Sequence, residues 1–130
     1  RTERNTLIID AYNANPTSMM AALDNFAAVK ADSRIAMLGD MLELGDNAPA
    51  YHEEVGKYAK TLNINKLVLL GELATYIGKG YGNCNVTMCN SREEINEYLK
   101  KNLKEGDTVL FKGSRGMKLN ECADYLKEEE

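Results

Sequence analysis

The chain has 130 residues, sixteen basic and twenty acidic, for a net charge of −4, with 44% hydrophobic and 7% aromatic residues and no tryptophan. This composition describes a single globular domain over residues 1–130 and excludes a disordered chain. With no basic excess to replace phosphate counterions and little aromatic surface for stacking, a nucleic-acid partner is not expected.

No apolar run approaches the roughly 18 residues of a membrane-spanning helix, so membrane insertion is not expected. The opening Arg1-Thr-Glu-Arg-Asn5 lacks the apolar stretch of a signal peptide. Cys84, Cys89 and Cys122 are an odd number, which reads as reduced thiols in a cytoplasmic protein. Their spacing, with His52 far away, does not suit a zinc site. Asn85-Val-Thr87 matches a glycosylation acceptor, a chance match without secretion.

Short β-rich runs alternate with helical patterns. Leu7-Ile8-Ile9 is a compact apolar run ending at Asp10. Thr17 or Ser18 can cap a following helix in which Met19, Leu23, Phe26 and Ala27 share one face. A second buried run, Ile35-Ala-Met-Leu38, ends at Gly39-Asp40, and a helix then begins near Ala48-Pro49, with proline early where its missing N–H is harmless. Tyr51, Val55, Tyr58, Ala59 and Leu62 form its expected apolar stripe. Residues 66–70 read as a third strand, 72–79 as a short helix and 86–89 as a fourth strand. Ser91 and Glu94 form a capping box for a helix carrying Ile95, Tyr98 and Leu99. A fifth strand over 107–111 and a final helix over 119–126 complete the series, before an acidic tail.

This alternation, with continuous apolar strands, predicts an α/β fold: a mostly parallel sheet of five to six strands covered by helices on both faces. Ligands in such sheets bind beyond the carboxyl ends of the strands. Three loops fall at that edge: Asp10-Ala-Tyr-Asn-Ala-Asn-Pro16, Gly39-Asp-Met-Leu-Glu-Leu-Gly45 and Lys112-Gly-Ser-Arg-Gly-Met117. In the first, Asp10 can accept both hydroxyls of a ribose and the amides can meet a base or phosphate; alternatively, Asn13 and Asn15 only satisfy backbone groups at a helix entry. In the second, Asp40 can hold a cation or an amine, or the loop is merely solvated, with Met41 and Leu42 in the core. His52 reads as a packing residue or as a catalyst, although no serine or cysteine pairs with it. The third loop clusters Lys112, Ser114 and Arg115 between glycines and suits a carboxylate or phosphate, or it is a basic turn balancing an acidic surface. No Walker A loop and no Gly-x-Gly-x-x-Gly follow a strand, so the chain carries no recognisable phosphoryl-transfer centre.

These three loops, together with His52-Glu-Glu-Val-Gly56, occur in an order that resembles the C-terminal domain of the Mur ligases, and the resemblance spans nearly the whole chain. It implies a Rossmann-like three-layer domain, usually a six-stranded sheet with one antiparallel strand. It also implies an N-terminal UDP-binding domain and a central ATPase domain of the same polypeptide, both absent here, as if the chain were cut from a longer one. The implied reaction activates the carboxylate of UDP-MurNAc-tripeptide with ATP and Mg2+ as an acyl phosphate, which the amine of D-Ala-D-Ala then attacks.

By the same resemblance, Asp10 binds the ATP ribose, and Tyr12, Asn13 and Asn15 belong to the nucleotide loop. Lys112, Ser114 and Arg115 hold the incoming dipeptide, with Arg115 or Lys112 pairing with its carboxylate, and Asp40 and His52 help to position it. The isolated domain is expected to bind neither cofactor tightly, to hold no metal of its own and to be inactive alone. The alternative is a stand-alone α/β module that binds a small anion or nucleotide.

Overall fold

The computed structural model describes residues 5–10, 14–82, 84–114 and 117–128. Five strands, β1 (Thr6–Asp10), β2 (Ser33–Gly39), β3 (Lys66–Leu70), β4 (Val86–Cys89) and β5 (Asp107–Lys112), form one sheet in the order β1-β5-β2-β3-β4. Every pairing is parallel. The antiparallel sixth strand implied by the resemblance is not present among the described residues. The helices are α1 (Pro16–Ala28), α2 (Ala48–Thr61), α3 (Ala74–Tyr81), α4 (Arg92–Asn102) and α5 (Asn120–Glu128).

The strand order decides which face each helix covers. The connections from β1 to β2, β2 to β3 and β3 to β4 all run one way across the sheet, whereas β4 to β5 runs back. Right-handed crossovers of opposite direction put their helices on opposite faces. Accordingly Met19, Leu23 and Phe26 of α1, Val55 and Ala59 of α2, and Ala74 and Ile77 of α3 pack on Ala36, Leu38, Leu67, Leu69 and Leu110. Ile95 and Leu99 of α4 and Cys122, Ala123 and Leu126 of α5 pack on Ile35, Met37, Val68, Val109 and Phe111. Strand residues alternate between the two cores because successive side chains point to opposite faces.

Two sequence expectations change. The cap of α1 is Asn15, not Thr17 or Ser18: its side-chain oxygen accepts from Ser18 N at 2.9 Å, while Ser18 Oγ accepts from Asn15 N at 3.0 Å. Pro16 fills the first helical position, so the residue before it must be the cap. The apolar stripe of α2 is also rotated. Ala48, His52, Val55, Gly56 and Ala59 face inward, and Tyr51 is exposed.

Glycine explains that rotation. A Cβ on Gly56 would lie 1.9 Å from Ile77 O, and one on Gly80 would lie 2.0 Å from Glu53 O. Helices α2 and α3 therefore touch backbone to backbone, a contact that Tyr51 or Tyr58 at the same height would prevent. The expected effect of Gly56→Ala is a loss of about 2 kcal/mol, since overpacking against a backbone carbonyl outweighs the better helix propensity of alanine. Denaturant unfolding of the purified domain checks this, and an unchanged midpoint would contradict the close crossing.

Candidate functional site

At the carboxyl edge the chain leaving β2 turns to α2 on one face, while the chain leaving its neighbour β5 turns to α5 on the other. Diverging loops from adjacent parallel strands open a crevice between them. Register places the predicted positions there: Lys112 of β5 is opposite Asp10 of β1 and Leu38 of β2. Ser114 N donates to Asp40 O at 3.0 Å, which ties the β5 turn directly to the loop after β2. The three loops thus start from one rim. Tyr12, Asn13 and Arg115 lie outside the described residues.

Asp40 is the junction of this rim. Its Oδ1 accepts from Ala74 N at 2.7 Å at the start of α3, and its backbone N–H donates to Met117 Sδ at 3.0 Å. Gly71, at φ +118°, makes room for it, because a Cβ there would sit 2.2 Å from Asp40 Oδ1. Partial burial raises the Asp40 pKa above its ordinary value, opposed by hydrogen bonds from Ala74 and Leu73 and by His52; Glu72 adds to the rise. Its carboxylate serves α3 rather than standing open to a cation.

His52 is fully buried. Met41 N–H donates to its Nε2 at 2.9 Å, so Nδ1 carries the proton and donates to Ala48 O at 2.6 Å. Both nitrogens are engaged, and the ring locks the loop after β2 onto α2. The structure thereby assigns His52 to holding that loop, with no ring nitrogen turned to a crevice. Asn15 is similarly engaged through its side-chain oxygen as the α1 cap.

Lys112 is only 1% exposed. Strand alternation puts it on the same face as Leu110, the side of α1 to α3. Ser114 is 7% exposed, and its Oγ is a buried hydroxyl without a hydrogen-bond partner among the described residues. Such a group is costly unless something meets it. Next to this turn, on the α4 side, a cleft of about 840 Å³ runs from Gly71, Glu72 and Met117 to Asn90 and Arg92. The sequence reading missed this cleft and Arg92. Its only local signal was a cap and an arginine after a short strand, a pattern common to many helix starts.

Among the described residues, no group of three or more His, Cys, Asp or Glu side chains could hold a metal. No helix among the described residues is long and apolar enough to cross a membrane.

Asp40→Ala should destabilise the domain by about 1–2 kcal/mol through loss of the α3 cap, and Asp40→Asn, which keeps an acceptor oxygen, by less. The folded pKa of Asp40 lies above its unfolded value, so its contribution is most favourable below the ordinary carboxylate range and is lost as pH rises through the folded pKa. Thermal melts from about pH 4 to 7 should therefore show the wild type losing ground to D40N as pH rises. A gap moving the other way would contradict the burial of this carboxylate.

The family model described as "Mur ligase, glutamate ligase domain" matches residues 1–115. UDP-N-acetylmuramoyl-tripeptide–D-alanyl-D-alanine ligase of Bacillus subtilis is 36% identical over 95% of this chain, and the protein of that name from Rickettsia prowazekii is 35% identical over 96%. The chain spans 28% of the length of each. Among solved structures, MurF of Acinetobacter baumannii superposes with a TM-score of 0.80 at 26% identity, over 94% of this chain and 28% of that one. MurF ligase of Thermotoga maritima, crystallised with ADP, gives 0.85 at 23% identity over 99% of this chain and 29% of that one, a likeness of fold. A five-stranded Rossmann-like sheet, a rim built from its carboxyl ends and a family model covering most of the sequence lead to one assignment: the chain belongs to the Mur ligase family.

Proposed function

We propose that this chain is the C-terminal domain of an ATP-dependent peptide ligase that joins D-Ala-D-Ala to UDP-MurNAc-tripeptide, gripping the nucleotide ribose and the acceptor dipeptide. The observation that carries the reading is the common rim. Asp10, Asp40 and the 112–114 segment meet at adjacent strand ends, with the Ser114 hydroxyl buried beside them and unpartnered among the described residues. The names of the relatives, and the share of their length that the chain covers, support a domain of a larger ligase over a stand-alone module.

On this reading the tripeptide carboxylate takes the γ-phosphoryl group of ATP, releasing ADP, and the neutral amine of D-Ala-D-Ala attacks the acyl carbon. The C–N bond forms, the acyl C–O bond to phosphate breaks, phosphate leaves, and the amine gives up a proton. ATP, Mg2+ and the central ATPase domain of the same polypeptide supply the phosphoryl chemistry. This domain holds two reactants. Asp10 accepts the ribose hydroxyls, with Tyr12, Asn13 and the amide nitrogen of Asn15 completing the nucleotide loop. Ser114 and Arg115 meet the acceptor, and Lys112, buried at the end of β5, backs that segment from within. Asp40 and His52 hold that segment in place without touching substrate. Holding amine and acyl carbon roughly 3–3.5 Å apart is worth more than any single contact, and domain closure delivers that geometry. The isolated 130-residue chain is therefore inactive.

In the ligase that carries this domain, Asp10→Ala should raise the KM for ATP by about tenfold to a hundredfold, the range for lost charge-assisted hydrogen bonds. The KM for D-Ala-D-Ala should change little. An unaltered ATP requirement would remove Asp10 from the ribose. Ser114→Ala should do the reverse, raising the dipeptide KM while leaving the melting temperature equal or higher, since it deletes a buried hydroxyl without a hydrogen-bond partner among the described residues. A clear loss of stability in S114A would mean that the hydroxyl serves the fold instead.

A further inference from the structure

We propose that Arg92, at the first position of α4, receives the terminal carboxylate of the acceptor and so selects for a peptide with a free C-terminus; the inference rests on the ligase reading above. The cleft beside Met117 is polar at its two ends. Gly71 and Glu72 border it at the Asp40 end, and Asn90, Ser91, Arg92 and Glu93 at the α4 end. Between them lies an apolar floor of Leu70, Met88, Cys89 and Met117. An amine-to-carboxylate peptide with two methyl side chains fits this distribution. Its amine lies toward the Gly71–Glu72 end, its methyl groups on Leu70, Met88 and Met117, and its carboxylate at Arg92.

Arg92 is held for that role. Its Nη1 donates to Met117 O at 3.2 Å and lies 3.6 Å from Glu121 Oε2 on α5. Both contacts use Nη1, which leaves the N–H groups of Nε and Nη2 to take a carboxylate side-on. The side chain is 36% exposed, so it is anchored and still reachable. Ser91 Oγ accepts from Glu94 N as the helix cap, which fixes the start of α4 beside Arg92. Glu93 also lines the cleft, and its exposed carboxylate is screened by solvent. Of the two residues expected from the sequence to pair with this carboxylate, Arg115 lies outside the described residues and Lys112 is buried on the side of α1 to α3.

The experiment compares D-Ala-D-Ala with its C-terminal amide as acceptors for the full ligase and its R92A, R92Q and R92K variants. R92A should raise the KM for D-Ala-D-Ala by about tenfold to a hundredfold. The KM for ATP and the KM for the amide should move by less than about threefold, which abolishes the preference for the free acid. R92Q should behave as R92A, and R92K should keep part of the preference, since a lysine supplies charge without the fork. If dipeptide and amide lose equally, Arg92 merely props the turn through Met117 O, and the proposal falls. A preference for the free acid that survives R92A and R92Q overturns the role of Arg92 alone. No ligation of D-Ala-D-Ala by the unsubstituted enzyme overturns the ligase reading and this inference together.

Discussion

The geometry of the rim depends on one partly buried aspartate. Asp40 leaves the end of β2 and is bound on three sides at once: its carbonyl by Ser114 of the β5 turn, its N–H by the Met117 thioether and its carboxylate by the first turn of α3. Burying a charge there is unfavourable, as its raised pKa records. The cost is offset because each contact satisfies a backbone group that would otherwise be orphaned at a strand or helix end. His52 extends the same arrangement by fixing Met41 to α2. The loop after β2, a kind of segment that is ordinarily mobile, becomes a rigid partition between the two faces of the sheet.

Close packing elsewhere makes this possible. The backbone contact of α2 with α3 at Gly56 and Gly80 seats α3 beside the sheet, so that its start meets Asp40. On the other face Met117 presses on Gly39, where a Cβ would lie 2.4 Å from its sulfur. Glycine at both places gives up side-chain contacts in exchange for close approach of main chains. The rim is therefore held rigid by its own hydrogen bonds, as the proposed delivery of two reactants toward a third requires.

Much of this was legible in the chain itself. Continuous apolar runs marked β2, β3 and β5, because a strand buried on both faces leaves no polar alternation to confuse the pattern, and the shorter runs at 7–9 and 86–89 marked the edge strands β1 and β4. Strand–helix alternation then implied parallel pairing, and parallel pairing put the three polar loops at one edge. The ordered motifs pointed to the Mur ligases, and the family match confirms it. Two local readings failed for the same reason. Tyr51 and Tyr58 look more apolar than His52 and Gly56, yet a neighbouring helix at backbone contact reverses which side is the inner one. Thr17 and Ser18 look like caps, yet Pro16 moves the helix start ahead of them.

What the amino-acid order alone determined is the set of elements, their parallel pairing and the loops that carry chemistry, since these follow from periodicity, capping and the conformational limits of proline and glycine. Only the tertiary structure decided the insertion of β5 between β1 and β2, the use of Asp40, His52 and the side-chain oxygen of Asn15 in structural hydrogen bonds, the burial of the Ser114 hydroxyl without a partner among the described residues, and the cleft in which Arg92 stands. Those features depend on which distant segments meet, and a side chain's free or occupied state is a property of its neighbours rather than of its type.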